Sequence, residues 1–438
     1  MSKNTINPPR GMRDILPSEM RIRYAALTTI ISTYEKFGFT QIETPAVENL
    51  NILSKDTESE NTKLVFSILK RGEEIDKAMQ ANDVTALTDL GLRYDLTVPL
   101  ARYYASNRAT LPGVFKSIQI GPVWRAERPQ KGRYRQFYQC DIDILGSNSI
   151  YSELELITAS SSALLSLGLK NFIIRMNDRR ILSAIIKYCG FAEENTQRIL
   201  IILDKIDKIG IQGIREELNN VELDADKIEV LLDLVTTQTN ITPEQSLQQL
   251  KQQIGQYLDA NIINELDLLI KQINAHSGAQ YSCVFDFTLV RGMGYYTGPV
   301  FEIGYKDYPF SIAGGGRYDN MINQLIGNAV PACGISLGFE RIIVILNEEQ
   351  ILTSSKLETI ALIVDSMADQ ENVMTMANNL WNTQKSISIY KREKNFTKQL
   401  NDLLLKGINQ YMTIDNNGIL SEIKEISLKV SEKKGDCR

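Results

Sequence analysis

The chain of 438 residues contains a single histidine, His276, in a turn-like Asn-Ala-His-Ser-Gly-Ala stretch where a surface loop position is expected. Without a second histidine, a histidine-built metal site or a Ser-His-Asp triad is hard to assemble. Cysteine is also sparse. Cys140, Cys189, Cys283, Cys333 and Cys437 are scattered and form no Cys-x-x-Cys pair. That spacing argues against a disulfide framework or a structural metal and fits a reducing compartment. No run of about 18 apolar residues occurs, so no transmembrane helix is expected. The N-terminal Met-Ser-Lys-Asn-Thr-Ile-Asn-Pro-Pro-Arg lacks the apolar core of a secretory signal. A cytoplasmic location with no membrane partner is the expectation. Positive charge is not in excess either: the net charge is −5. Any nucleic-acid contact must therefore use local patches, and salt would weaken it by counterion release. Chemistry that needs only arginines, carboxylates and bound magnesium stays open.

What is present is concentrated. Hydrophobic residues make up 43% of the chain, ample for a core and for two to three domains. Between Val123 and Gln139, Arg125, Arg128, Lys131, Arg133 and Arg135 place five cations within eleven residues, with Glu127 the one acid. Pro129 and Gly132 break any helix there, so the segment reads as a loop between two extended stretches, residues 115–124 and 137–145. Arginine forks match phosphate oxygens, and Phe137 offers a flat face for a base. A nucleotide phosphate is the natural guest, a solvated basic turn the plainer alternative.

Residues 19–37 have helical periodicity, with Met20, Tyr24, Leu27, Ile30, Ile31 and Tyr34 on one face and Gly38 at the end. Residues 40–47 read as a strand interrupted by Pro45, residues 64–69 and 91–95 as strands, and residues 97–104 as a helix start with Pro99 in its first turn. From about residue 177 to 274 the character is helical, as in 197–209 and 243–258. Strand signals return at 283–290, 300–304 and 333–337. Between them, Gly314, Gly315 and Gly316 open a Gly-Gly-Gly-Arg-Tyr-Asp stretch that reads as a turn allowing close backbone approach to a ligand. Residues 338–341 open a helix running through Leu346. After a linker at 347–358, strands at 359–364 and 387–390 alternate with helices at 369–383 and 396–405, the pattern of a small α/β domain with a parallel or mixed sheet.

These segments, taken together in order, resemble the class II aminoacyl-tRNA synthetases, specifically the histidyl-tRNA synthetase family. Pro9-Arg10-Gly11-Met12-Arg13-Asp14 and the following helix resemble motif 1, residues 125–139 motif 2 and residues 334–341 motif 3. Residues 291–297 (Arg-Gly-Met-Gly-Tyr-Tyr-Thr) and 313–319 resemble the two histidine-specific signatures. The resemblance spans residues 8–345. It implies an α+β catalytic domain, an antiparallel sheet flanked by helices, with a helical insertion and a small C-terminal α/β domain. The corresponding pieces are residues 1–176 and 276–350 for the core, 177–275 for the insertion and 357–438 for an anticodon-binding-like domain.

The resemblance also implies roles. Arg125 and Arg291 would be catalytic, gripping the α-phosphate and the substrate carboxylate. Glu127 and Phe137 would hold adenine, and Arg133 and Arg341 the outer phosphates and base. Asp95 and Thr97 match the ammonium site, Gln139 and Asp143 the substrate positions with Asp143 near the imidazole, and Tyr295, Tyr296 and Tyr318 the pocket walls. Carboxylates suit a ligand that carries both an N–H ring and an ammonium group. Arg128 and Gln130 match positions that contact the 5′ end of tRNA. ATP with Mg²⁺, L-histidine, tRNA(His) and a homodimer partner follow from the same resemblance; the magnesium ligands do not. The implied activity is formation of histidyl-adenylate and its transfer to tRNA. The rival is a non-catalytic, histidine-sensing regulatory subunit of ATP phosphoribosyltransferase. Two departures from the family pattern stand out: Gly294 replaces a usual acid, and residues 408–438 are short and polar, so that a reduced closing strand or helix is expected.

Overall fold

The computed structural model describes residues 6–54, 64–80, 85–129, 132–221, 223–290, 296–351, 359–383 and 386–427. The chain divides into two compact units, Met1–Leu352 and Thr353–Arg438. Strands of the first are β1 (Thr40–Ile42), β2 (Val47–Asn49), β3 (Phe66–Leu69), β4 (Thr88–Leu92), β5 (Phe115–Trp124), β6 (Gln136–Leu145), β7 (Phe172–Asp178), β8 (Tyr281–Phe285), β9 (Pro299–Tyr305), β10 (Ser311–Arg317) and β11 (Ala332–Gly338). Eight of them form one sheet in the order β1-β5-β6-β11-β10-β9-β7-β8, and β2-β4-β3 form a small second sheet. Within the large sheet only the outer pairs β1–β5 and β7–β8 are parallel; the interior is antiparallel. Pro45 therefore separates two short strands that serve different sheets.

Alternation along β6 gives the large sheet two unlike faces. Cys140, Ile142 and Ile144 point into the main core with Ile118, Ile335 and Leu337, where Ala26, Ile30, Leu156 and Ile157 of the covering helices Pro17–Lys36 and Tyr151–Ser166 join them. Each such aliphatic side chain gains roughly 1.5–3 kcal/mol by burial. The intervening residues face the other way in register. Asp143 lies opposite Ser117 and Gly334, Asp141 opposite Gln119 and Ser336, and Gln139 opposite Gly121 and Gly338. A slip of one residue would exchange the faces and bury the carboxylates among isoleucines, so the apolar set fixes the polar one.

The triple glycine lies inside β10 rather than in the expected turn. Close approach explains it: a Cβ on Gly315 would sit 2.0 Å from the Gly334 carbonyl oxygen, and one on Gly334 would sit 1.8 Å from Asp143 Oδ1. Gly315 lies in the core-face register with Ile335 and Phe301, while Gly314, Gly316 and Gly334 share the register of the polar face and leave its floor to backbone.

The long N-terminal helix starts with proline in its first turn and ends at a left-handed Gly38. Its buried face differs from the expected one. Arg23, Ala26, Ile30, Thr33 and Tyr34 are inside, while Met20 and Tyr24 are 48% and 70% exposed. The run from Arg179 to His276 is helical throughout its long elements: Arg179–Tyr188, Thr196–Leu203, Ile206–Asn219, Ala225–Thr239, Pro243–Ile254 and Ala260–His276. Side-chain caps start four of these, from Asp178, Asp224, Thr242 in a capping box with Gln245, and Asp259. Ile199, Ile214, Leu231 and Leu250 of this run belong to the same hydrophobic cluster as the sheet. His276 closes the last helix and is exposed, its Nδ1 2.8 Å from the Gln272 carbonyl oxygen, rather than lying in a loop.

The second unit holds β12 (Thr359–Val364), β13 (Ser386–Lys391), β14 (Gln410–Ile414) and β15 (Lys424–Glu425) in the order β13-β12-β14-β15. The pairs β12–β13 and β12–β14 are parallel, and the short β15 is antiparallel. β12 is buried on both faces, with Ile360 and Leu362 packing on one side and Ala361 and Ile363 on the other. Within residues 408–427 the chain forms the five-residue β14 and, last, the two-residue β15, while residues 428–438 lie outside the described residues.

Backbone contact at Gly315 makes a specific expectation. Gly315→Ala should lower unfolding free energy by about 1–3 kcal/mol or more. Gly304→Ala, whose Cβ would meet only the Ile173 carbonyl oxygen at 4.0 Å, should cost no more than about 1 kcal/mol. Urea denaturation of the two variants checks the contrast.

Candidate active site

The polar face concentrates buried carboxylates. Asp95, Asp141 and Asp143 are 1–3% exposed. Asp143 Oδ1 accepts from the Tyr318 hydroxyl at 2.6 Å, and Asp95 accepts from the Val98 backbone N–H at 3.1 Å. Burial pushes the Asp143 carboxyl up to about 7 against the lowering effect of Tyr318, with the charge of Asp95 adding to the rise. Burial likewise raises Asp95 to about 6, opposed by the Val98 bond and by Arg125. Asp141 is raised by burial first and by Asp143 second. Gln139 donates to Ser336 Oγ at 2.9 Å. Asp95 Oδ2, Gln119 Oε1 and Gln139 Oε1 are buried acceptors with no donor among the described residues. Such groups are costly unless something supplies N–H donors.

Beside them lies a cavity of about 360 Å³, within the range of small-ligand sites. The hairpin β5–β6 contributes Arg125, Glu127, Arg133, Tyr134, Phe137 and Gln139 to its wall. β10 and β11 contribute Ser311, Gly314, Ser336 and Gly338, and the helix Phe339–Glu348 contributes Glu340 and Arg341. The Arg125 guanidinium lies 5.0 Å from the Phe137 ring centre, and its Nε donates to the Tyr94 carbonyl at 2.9 Å. Arg341 donates to the Ser311 carbonyl at 2.7 Å and sits 5.5 Å from the Phe310 ring centre. Arg133 pairs with Glu127 at 3.3 Å. Arginines aimed by aromatic faces and carbonyls present fixed cations, while the glycine floor leaves room for a flat ligand.

Six expected residues therefore meet in one cavity: Arg125, Glu127, Arg133, Phe137, Gln139 and Arg341. Asp95, Asp143 and Tyr318 adjoin it on the sheet face, linked to it by the charge of Arg125 on Asp95 and by the β6 register. A Cβ on Gly316 would touch the Tyr296 ring at 2.9 Å. Thr97 opens the helix Thr97–Asn107 and is half-buried, and Arg128 is exposed, outside the cavity lining. Gln130, Arg291, Gly294 and Tyr295 lie outside the described residues. Asp141, Ser336 and Glu340 were not anticipated. The Gln-Cys-Asp-Ile-Asp alternation already placed Asp141 on the face of Gln139 and Asp143. The four described free cysteines are all buried, and among the described residues no cluster of three or more His, Cys, Asp or Glu is arranged to hold a metal.

A mostly antiparallel sheet backed by helices, with arginines from a strand hairpin and from a late helix turned onto its glycine-floored face, is the catalytic core of a class II aminoacyl-tRNA synthetase. The fold comparison agrees. A crystal structure of histidyl-tRNA synthetase from Nostoc sp. PCC 7120 superposes with a TM-score of 0.73, 24% identity and 97% coverage of both chains. A structure from Bacillus halodurans C, titled an ATP phosphoribosyltransferase regulatory subunit/histidyl-tRNA synthetase, gives 0.72 with 18% identity over 93% of this chain and 97% of that one. The sequence comparison is finer. The model of the family described as histidyl-tRNA synthetase matches residues 11–342. Histidine--tRNA ligase of Leifsonia xyli subsp. xyli is 42% identical over 416 residues, 94% of this chain and 95% of that protein. A probable histidine--tRNA ligase of Tropheryma whipplei is 41% identical over 382 residues, 85% and 87% of the two chains. The chain belongs to the histidyl-tRNA synthetase family and is an aminoacyl-tRNA ligase.

The raised carboxyls give a pH signature. A carboxyl whose folded pKa lies above its unfolded value favours folding most at low pH, and that contribution is lost as pH rises through the folded pKa. For Asp143 the window runs from the ordinary 3.8 to about 7. Asp143→Asn cannot ionise. Its stability relative to the unmodified protein should therefore rise steadily between pH 4 and pH 7; a flat difference in chemical denaturation across that range would contradict the burial argument.

Proposed function

We propose that the chain activates L-histidine with ATP, releasing pyrophosphate, and transfers the histidyl group to tRNA(His). The observation that carries this reading is the pairing of unsatisfied buried acceptors, Asp95 Oδ2 and Gln139 Oε1, with an arginine-walled cavity. The first set needs a ligand rich in N–H donors; the second needs an anion. Histidine brings an ammonium and a ring N–H, and ATP brings the phosphates.

In the first step a histidine carboxylate oxygen attacks the α-phosphorus and the bond to the β-phosphate breaks. Negative charge builds on the phosphorus oxygens, where preorganised cations lower the barrier. Arg125 serves both the carboxylate and the α-phosphate. Arg341 and Arg133 serve the outer phosphates and the base, and Phe137 stacks on adenine with Glu127 at its edge. Asp143, held by Tyr318, accepts from the imidazole, with Tyr296 beside it. Asp95, Thr97 and Gln139 take the ammonium. Arg291 is assigned to the α-phosphate and Tyr295 to the pocket wall by resemblance alone. Mg²⁺ would enter with the nucleotide and supply charge neutralisation at the phosphates; Asp204 and Glu302 in the cavity wall are oxygen donors of the type it accepts. In the second step a ribose hydroxyl of the tRNA end displaces AMP. With His276 outside the cavity lining, a phosphate oxygen of the adenylate is the base we assign.

Arg128, exposed on the hairpin, and Gln130 would contact the 5′ end of tRNA(His), and residues 357–438 its anticodon. Residues 1–176 and 276–350 would form the catalytic core, interrupted by 177–275. The exposed Leu16, just before the N-terminal helix, and Met20 and Tyr24 on it supply an apolar strip for a second copy, supporting a homodimer. No helix among the described residues is long and apolar enough to cross a membrane, and a cytoplasmic site of action fits this role. The regulatory-subunit reading rests on a likeness of fold alone.

Histidine-dependent ATP–pyrophosphate exchange tests the first step. Arg125→Ala and Arg291→Ala should each lower exchange at least about 100-fold, and charging of tRNA(His) should be measured in parallel. Histidine binding without any exchange would instead support the regulatory-subunit reading.

A further inference from the structure

A buried ion cluster behind the cavity has no part in the chemistry just described. Glu340 Oε2 accepts from Arg23 Nη1 at 2.7 Å and from Arg13 Nη2 at 3.0 Å. Its Oε1 accepts from Arg23 Nη2 at 2.8 Å and from the Tyr138 backbone N–H at 3.3 Å. The side chains of Glu340 and Arg23 are only 7% and 5% exposed. Arg13 also forks onto Glu19 at 2.7 and 2.6 Å, and its guanidinium lies 4.9 Å from the Tyr134 ring centre. Burial would raise the Glu340 carboxyl, but the bonds and charges of Arg23 and Arg13 outweigh it and hold it below its ordinary range.

A buried ion pair is weak evidence for stability, because desolvation offsets most of the attraction. Its directional bonds are better evidence for placement. This cluster joins three segments that are remote in sequence. Arg13 belongs to the N-terminal segment, where the Gly11 carbonyl also accepts from the Arg135 N–H at 2.8 Å. Tyr138 belongs to β6, and Glu340 sits in the first turn of the helix Phe339–Glu348. The next residue, Arg341, reaches the cavity, and Tyr134 and Glu340 line it themselves.

We infer that Arg13 and Glu340 are positioning residues for the nucleotide: the N-terminal arginine fixes the carboxylate that opens the helix, and so aims Arg341 and the hairpin at the ligand. The inference rests on the nucleotide reading of the cavity. Arg13 is the informative site, because its removal leaves the Arg23–Glu340 fork in place, whereas removing Glu340 would take the fork away from the buried Arg23.

The test is a double-mutant cycle on full-length protein: unmodified, Arg13→Ala, Arg341→Ala and the double variant. Calorimetry with an ATP analogue bearing a non-cleavable α–β bridge gives nucleotide affinity. Histidine affinity and melting temperature are read separately. Arg13→Ala should weaken the analogue about tenfold while leaving histidine binding within about twofold, the size expected when one charge-assisted hydrogen bond to the nucleotide is loosened. The double variant should lose less than the product of the two single losses, because both act through one side chain. Multiplicative losses, or equal losses for both ligands with a fall in melting temperature, would overturn the inference. If Arg13→Ala fails to fold, Arg13→Lys, which keeps the charge but not the fork, carries the same cycle. An Arg341→Ala variant with unchanged nucleotide affinity would remove the nucleotide reading itself, and the inference with it.

Discussion

The register of β6 is the constraint on which the site depends. Cys140, Ile142 and Ile144 are committed to the core, so Gln139, Asp141 and Asp143 must face the other way. The hydrophobic effect thus places polar chemistry that it would never bury by itself. Neighbouring strands then decide what surrounds the carboxylates. Gly334 and Gly338 on β11 and Gly314 on β10 leave the face open beside Ser336. With backbone as the floor, a flat ligand can lie against the sheet, and the arginines of the hairpin and the late helix close over it from two sides.

Electrostatics complete the arrangement. Burial raises the proton affinity of all three carboxylates, and the charge of Asp95 raises Asp141 and Asp143 further, with Asp143 adding to Asp141. In the free protein this is a local cost with few internal donors to offset it. A ligand carrying N–H donors relieves that cost on one side of Arg125, and an anion is drawn to the arginines on the other. The same guanidinium lowers the Asp95 carboxyl and lines the cavity, so the two halves of the site share a residue. That sharing suits a reaction in which a carboxylate must be brought against a phosphorus atom.

Much of this was legible in the residues. The paired strands flanking the basic loop follow from the helix-breaking Pro129 and Gly132 between two extended stretches, 115–124 and 137–145, which the structure forms as β5 and β6, and the small α/β unit follows from its regular exchange of strand and helix. Arg125, Glu127, Arg133, Phe137, Gln139 and Arg341 do converge. The triple glycine reads as a turn in sequence because glycine has poor strand propensity. Only the neighbouring Gly334 backbone shows why no side chain fits. The buried face of the first helix departs from its apolar periodicity because Arg23 enters the core to meet Glu340, 317 positions away, a pairing no local pattern encodes. Met20 and Tyr24 correspondingly turn outward. Asp141 shares the face of Asp143 by its spacing of two residues alone.

The most direct test is a crystal structure of the protein with histidine and a non-cleavable ATP analogue. The account predicts the imidazole hydrogen-bonded to Asp143 beside Tyr318, the ammonium within reach of Asp95 and Gln139, and the phosphates against Arg125 and Arg341 above the glycines of β10 and β11. Histidine bound away from Asp143, or a nucleotide lying outside the Arg125–Arg341 cavity, would contradict it.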